Sequence, residues 1–221
     1  MAEIFSIAID GPSSSGKSTV ASAVAKRLGI LHVNTGSMYR AVAYYFIKNG
    51  LDYNNEKVVN AHLDDIHIEV KFEDGKQADY LNGEYVTPFL RANEVSVGSS
   101  VVSQFARVRH MTVEIQREVA SHTSCIMEGR DITTVVLPNS KNKFFLTASA
   151  EERAKRRFKE NLEKGIESNF EQLYKEVVER DQRDENRTVS PLRQAEDAVL
   201  IDATNLTVDE VIETVVKNLK I

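Results

Sequence analysis

The chain predicts an α/β fold: a five-stranded parallel sheet flanked by helices, carrying a small antiparallel three-stranded insert. Three observations lead there. Short apolar strands recur between longer stretches of helical pattern, near residues 4–9, 31–33, 124–127, 143–147 and 198–202. The first strand runs straight into a glycine-rich turn and then a helix. Residues 66–86 break the alternation with a period of two.

The first strand, Ile4-Phe5-Ser6-Ile7-Ala8-Ile9, is apolar, partly β-branched and of buried-strand length. Residues 11–18 then read Gly-Pro-Ser-Ser-Ser-Gly-Lys-Ser, filling every fixed position of G-x-x-x-x-G-K-[ST]. Val20, Val24 and Leu28 follow at i, i+4 and i+8, a helical stripe stopped by Gly29. A glycine-rich turn aims successive backbone N–H groups inward, and the helix N-terminus adds positive potential. Lys17 is expected to reach the β- and γ-phosphates and the Ser18 hydroxyl to hold Mg²⁺. The core is therefore expected to be of the P-loop NTPase type, binding a nucleoside triphosphate.

The strand near 31–33 is weaker. Ile66, Ile68, Val70 and Phe72 then alternate with His67, Glu69, Lys71 and Glu73. Asp74-Gly75 and Asn82-Gly83 are strong hairpin turns, because their residues tolerate positive φ. Residues 66–86 thus read as a three-stranded antiparallel meander, either decoration or a substrate lid. Capping-box spacings mark three later helix starts: Ser149 with Glu152, Ser168 with Glu171, and Thr207 with Glu210. The last helix carries Val208, Val211, Ile212, Val215, Val216 and Leu219 on one stripe and is expected to pack on the sheet.

Composition bounds the function. A hydrophobic share of 42% and a charged share of 28% are those of an ordinary soluble globular protein. The formal charge of −5 argues against nucleic acid as the main partner. No window approaches the ~18 apolar residues that span a bilayer, and no secretory signal is visible, so the cytoplasm is the default compartment. Cys125 is the only cysteine, which excludes an internal disulfide, and its strand setting reads as a buried, inert thiol. The five histidines show no metal-ligand spacing and read as structural or surface residues.

A phosphate-binding loop alone does not separate GTPases, ATPases, small-molecule kinases and motors. No Asp is followed three residues later by Gly, and Asn-Lys-x-Asp is absent, which lowers the GTPase reading. The arginines say more. Arg180, Asp184 and Arg187 fall at i, i+4 and i+7, within roughly 60° on one helix face. Arg153 and Arg157 stack at i, i+4 with Arg156 beside them. Surface ion pairs of this kind are common and weak. Guanidinium forks nevertheless suit phosphate oxygens, and phosphoryl transfer needs several cations around one developing charge.

Read in order, further segments make a resemblance specific. They are Ile9 to Thr19, Asn34-Thr35-Gly36-Ser37-Met38-Tyr39-Arg40, Glu128-Gly129-Arg130-Asp131, and Glu151-Glu152-Arg153-Ala154. Arg180-Asp181-Gln182-Arg183-Asp184-Glu185-Asn186-Arg187, Ser190-Pro191-Leu192 and Leu200 to Thr204 complete the series. Together they resemble the bacterial-type cytidylate kinases, nucleoside monophosphate kinases, over essentially the whole chain. The Arg-Asp-x-x-Asp-x-x-Arg helix and the Gly-Arg-Asp loop are the diagnostic parts.

The resemblance implies a single domain, 1–221, with a core of 1–35, 105–150 and 190–221. It implies a monophosphate-binding region with the insert at 36–104 and a lid at about 151–168. ATP would lie on Gly11, Pro12, Ser13, Ser14, Ser15, Gly16, Lys17, Ser18 and Thr19. The CMP phosphate would meet Arg40, Arg130 and Arg187, its ribose Arg180 and Asp184, and its cytosine edge Ser100, Arg109 and Asp131. Thr35 and Tyr39 would line the same pocket. Lys17, Arg130, Arg187 and the lid arginines Arg153 and Arg157 would serve catalysis, with Arg156 also in the lid. The implied reaction is Mg²⁺-assisted, in-line transfer of phosphoryl from ATP to CMP or dCMP, by a monomer. Cytosine presents an amino donor beside two acceptors, which suits an acceptor such as Asp131 or Ser100 next to Arg109.

Three positions depart from the family pattern: Asn34 and Glu128 where Asp is usual, and Thr133 where Gly is usual. Glu128 follows a strand, a place where a carboxylate serves the Mg²⁺ shell through water. Another acceptor (UMP, AMP or a small metabolite) and a nucleotide-dependent switch remain the alternative readings.

Overall fold

The computed structural model describes residues 4–73 and 75–221, so Asp74 of the expected Asp74-Gly75 turn lies outside the described residues. In chain order the elements are β1 (Ser6–Asp10), α1 (Lys17–Leu28), β2 (Leu31–Asn34), α2 (Thr35–Lys48) and α3 (Glu56–Ala61). Next come β3 (Ile68–Glu73), β4 (Lys76–Leu81), β5 (Glu84–Tyr85), α4 (Asn93–Val102), α5 (Ala106–His122) and β6 (Cys125–Gly129). The chain closes with β7 (Asn142–Thr147), α6 (Ala150–Glu163), α7 (Phe170–Asn186), β8 (Val199–Asp202) and α8 (Val208–Lys217). A five-stranded sheet has the order β2-β6-β1-β7-β8, and a three-stranded antiparallel sheet the order β3-β4-β5. The expected fold class is the observed one.

The described residues divide into two compact units, residue 4 with 30–73 and 75–125, and residues 5–29 with 126–221. In the second unit, β1 pairs in parallel with β7, and β7 with β8, so that Asp10 stands opposite Phe145 and Thr147 opposite Asp202. Ile7, Ile9, Val20, Val24, Phe144 and Leu146 form its dry interior. The first strand starts two residues later than the apolar run, leaving Ile4 half exposed. The final helix buries Val211 and Val215 against α1, while Val208 stays half exposed and Leu219 falls beyond the helix end. The partner given by its contacts is thus a neighbouring helix, where the stripe predicts packing on the sheet.

Caps explain the helix starts, with one correction. Thr207 and Glu210 form a complete capping box. Ser149 accepts from Glu152 N, but the Glu152 carboxylate turns to Arg156 instead of closing the box. Ser168 is not a cap. Asn169 takes that place, its side chain accepting from Gln172 N, because Asn competes at least as well for an orphan N–H.

In the first unit, Phe46, Val42, Val59, Val86 and Val102 centre a core drawn from α2, α3, α4 and the insert. The insert's alternation fades along its length: Ile66 and Ile68 are buried, whereas Val70 and Phe72 are half-buried. Its second turn has Asn82 at φ 51° and Gly83 at φ 81°, the backbone that an Asn-Gly pair favours. The Asn82 carboxamide further fixes that turn, accepting from His67 N and donating to Asp65 O.

Candidate active site

The phosphate-binding loop is shaped by close approach. Gly11 has φ 149°, and a Cβ there would stand 1.9 Å from Leu146 O on β7. No side chain fits, so the loop can leave β1 only through glycine. Lys17, the first residue of α1, is almost completely buried and donates to Pro12 O (2.6 Å) and Ser15 Oγ (3.3 Å). Burial, reinforced by the Arg130 charge, lowers its pKa to about 7, against the opposing pull of Glu128, Asp10 and Asp184. Those five groups therefore share one electrostatic neighbourhood.

Around it lie the charged side chains of β6, α7 and the turns after them. Arg130 Nε donates to Asp184 Oδ2 at 2.8 Å, both groups well shielded from water. Burial opposes the Arg130 charge, but Asp184, Glu128 and Asp10 outweigh it and raise its pKa. For Asp184 burial likewise works against ionisation, and Arg130, Arg180 and Arg187 overcome it to lower the pKa. Arg187 Nη2 stands 3.7 Å from Asp131 Oδ1, again both buried. Burying this many charges is tolerable only because signs alternate through the cluster.

Arg187 is not on the α7 face where the spacing placed it. The helix ends at Asn186, and Arg187 is extended, at φ −61° and ψ 141°. The chain then folds back, with Leu192 N donating to Asp184 O and Arg187 Nε to Ser190 O. Arg187 still joins Arg180 and Asp184 electrostatically, by a turn instead of a helical ridge.

The arginines of α6 divide their tasks. Arg153 is buried, with Nη1 and Nη2 forked onto the Asp181 carboxylate (2.9 and 2.5 Å) and further bonds to Ala148 O and Ser13 O. Arg157 pairs with Glu176 at 3.3 Å. Arg156 donates to Ser15 O and to Ala203 O (2.6 Å), tying the phosphate-binding loop to the segment after β8. The grip of Arg153 and Arg156 on loop carbonyls, and the partnership of Asp181, were not readable from spacing.

The remaining expected residues lie in the other unit. Thr35, Tyr39 and Arg40 are on α2, Ser100 on α4 and Arg109 on α5. The Arg109 guanidinium stands 5.4 Å from the centre of the Tyr39 ring and donates to Ser103 O. Ser100 Oγ is buried with no hydrogen-bond partner among the described residues. A buried hydroxyl left this way costs about 1–3 kcal/mol, a cost a polar ligand removes.

A family model described as "Cytidylate kinase" matches residues 7–221. The chain belongs to the cytidylate kinase family. It is 47% identical to the cytidylate kinase of Anoxybacillus flavithermus, covering 97% of this chain and 96% of that one. It is 46% identical to the cytidylate kinase of Halalkalibacterium halodurans, with the same coverage of each. Among solved structures, an uncharacterized protein from Eubacterium ventriosum has a similar fold, with a TM-score of 0.54, 13% identity and 96% of each chain covered.

Within this cytidylate kinase fold the three departures have definite settings. Asn34 precedes α2, and its backbone exchanges hydrogen bonds with Gln77: Asn34 N donates to Oε1 and Nε2 donates to Asn34 O. Glu128 is a buried carboxylate at the end of β6 whose charge is felt by Lys17 and Arg130. Its carboxylate and the hydroxyl of Ser18, in the first turn of α1, are each hard oxygen donors of the kind Mg²⁺ takes. Thr133 bonds Asp10 through both its amide and its hydroxyl, a contact that Gly could make only in part. Cys125 is buried and its thiol is pushed up to about 12 by desolvation, so it is inert as a nucleophile at neutral pH.

Proposed function

We propose that this chain transfers the γ-phosphoryl group of ATP to CMP and dCMP, giving CDP and dCDP. The observation that carries the reading is the neighbourhood shared by Lys17, Arg130 and Asp184, joined by Arg180, Arg187 and Asp131, in a member of the cytidylate kinase family. ATP binds on Gly11 to Thr19, with Lys17 moving from Pro12 O to the β- and γ-phosphates. Arg40, Arg130 and Arg187 hold the acceptor phosphate, and Arg180 and Asp184 the ribose. Ser100, Arg109 and Asp131 read the cytosine edge, beside Thr35 and Tyr39. The acceptor oxygen is already anionic, so no strong general base is needed; orientation and charge neutralisation supply the rate. Ser18, and Glu128 through water, would hold Mg²⁺, which supplies charge neutralisation at the phosphates when bound. Arg153 and Arg157 reach the transferring group only by leaving Asp181 and Glu176, so lid closure and exchange of these ion pairs are one event. The enzyme acts as a cytoplasmic monomer, and nucleic acid is not its partner.

ADP release measured with CMP, dCMP, UMP, AMP or no acceptor tests the reading. Turnover should depend on CMP or dCMP by orders of magnitude, and Asp131→Ala should narrow the CMP preference over UMP while ATP still binds. Equal rates with and without CMP would instead mark a slow nucleotide hydrolase.

A further inference from the structure

Asp10 is fully buried at the end of β1, one residue before the phosphate-binding loop, and nothing in the reaction above uses it. Its carboxylate accepts three hydrogen bonds from one short segment: Ile132 N to Oδ1 (2.8 Å), Thr133 N to Oδ2 (2.7 Å) and Thr133 Oγ1 to Oδ2 (2.6 Å). That segment opens a wide, π-type turn over Ile132–Val136, in which Asp131 O accepts from Val135 N and Val136 N. The first amides of such a turn have no partner inside it, so an outside acceptor must satisfy them. The two residues just before it, Arg130 and Asp131, are the ones that pair with Asp184 and face Arg187.

The anchor itself cannot drift. Asp10 is held in register opposite Phe145, and the next residue, Gly11, is pressed against Leu146 O. A rigid point at the start of the ATP loop is thereby fastened to the segment presenting Arg130 and Asp131.

We propose that Asp10 and Thr133 are positioning residues for the acceptor nucleotide: together they fix Arg130 and Asp131 relative to the phosphate-binding loop, with the Thr133 hydroxyl as the third fastener. The proposal rests on the reading above, in which Arg130 holds the CMP phosphate and Asp131 the cytosine. Displacing such groups by about 1 Å costs on the order of 100-fold in rate, so a fastener that limits drift matters to catalysis without touching substrate. Burial pushes the Asp10 pKa up to about 6 even with the Thr133 and Ile132 bonds opposing it, so the hydroxyl also favours the accepting, ionised form.

Thr133→Val keeps the shape and removes only the hydroxyl, and Thr133→Ser restores it. Steady-state kinetics with CMP, UMP and ATP, beside the wild type, make the test. Thr133→Val should lower kcat/KM for CMP about tenfold and narrow the CMP-over-UMP preference, leaving KM for ATP within twofold. Thr133→Ser should return both to within about twofold of wild type. Thr133→Ala carries the same test if valine does not fit the turn. A Thr133→Val enzyme unchanged toward CMP and UMP overturns the proposal, as does an equal loss for ATP and CMP that serine fails to rescue. If the wild type itself shows no CMP-dependent turnover, the underlying reading has failed and the proposal falls with it.

Discussion

Asp10 in β1 and Asp79 in β4 are both buried carboxylates whose pKa is raised by desolvation, yet they are satisfied in opposite ways. Two of the three donors to Asp10 are backbone amides. Asp79 Oδ1 instead accepts from side chains, Ser37 Oγ and Gln77 Nε2, both at 2.7 Å, with the Arg40 charge also lowering its pKa. Backbone donors in a fixed turn cannot turn elsewhere, whereas side chains can find new partners. Asp10 therefore behaves as a weld and Asp79 as an adjustable hub, each close in sequence or space to an arginine expected to hold the CMP phosphate.

The sharpest way to break this contrast is Asp10→Ala. It would strand two buried amides and a hydroxyl, at about 1–3 kcal/mol each, while relieving the cost of a buried charge. We expect a loss of about 4 kcal/mol in unfolding free energy at pH 7, read by urea denaturation. A loss below about 1 kcal/mol would show that the turn re-satisfies its amides and that no weld exists.

The same difference has a pH signature. With a folded pKa of about 6 and an unfolded value near 3.8, Asp10 binds more protons in the folded state between those limits. Its contribution to stability therefore falls as pH rises from about 4 to 6, by at most ~3 kcal/mol. Comparing unfolding free energies at pH 4 and pH 7, Asp10→Asn should lack this decline. Parallel curves for the variant and wild type would contradict the assignment. Asp79, raised in the same direction, contributes with the same sign.

How much of this was legible in sequence follows from distance along the chain. The phosphate-binding loop was readable because its chemistry lies within eight consecutive positions, and Arg180 and Asp184 because helical geometry converts spacing into proximity. The meander was readable from its period and its Asn-Gly turn. Asp10 was not, since its partners lie 122 and 123 residues away and a lone sequence carries no pairing signal at that range. The Asp79–Ser37 contact spans 42 residues and was hidden for the same reason. Arg187 failed differently: helical spacing was extended one residue past a helix whose end is set by the return of Leu192 N to Asp184 O.

The smallest expected effect belongs to the hub. Asp79→Asn keeps one oxygen acceptor for Ser37 or Gln77, and Gln77 retains its exchange with the Asn34 backbone. The neighbouring side chains reorient, so the loss in stability should be about 1 kcal/mol. Function should register the change more clearly, because the Arg40 guanidinium loses a nearby anion that offsets its charge. Since Arg40 is expected to meet the acceptor phosphate, KM for CMP should move by about threefold while kcat holds. If Asp79→Asn were as costly as Asp10→Ala, the insert would be welded as firmly as the loop beside the ATP site, and the distinction between the two carboxylates would disappear.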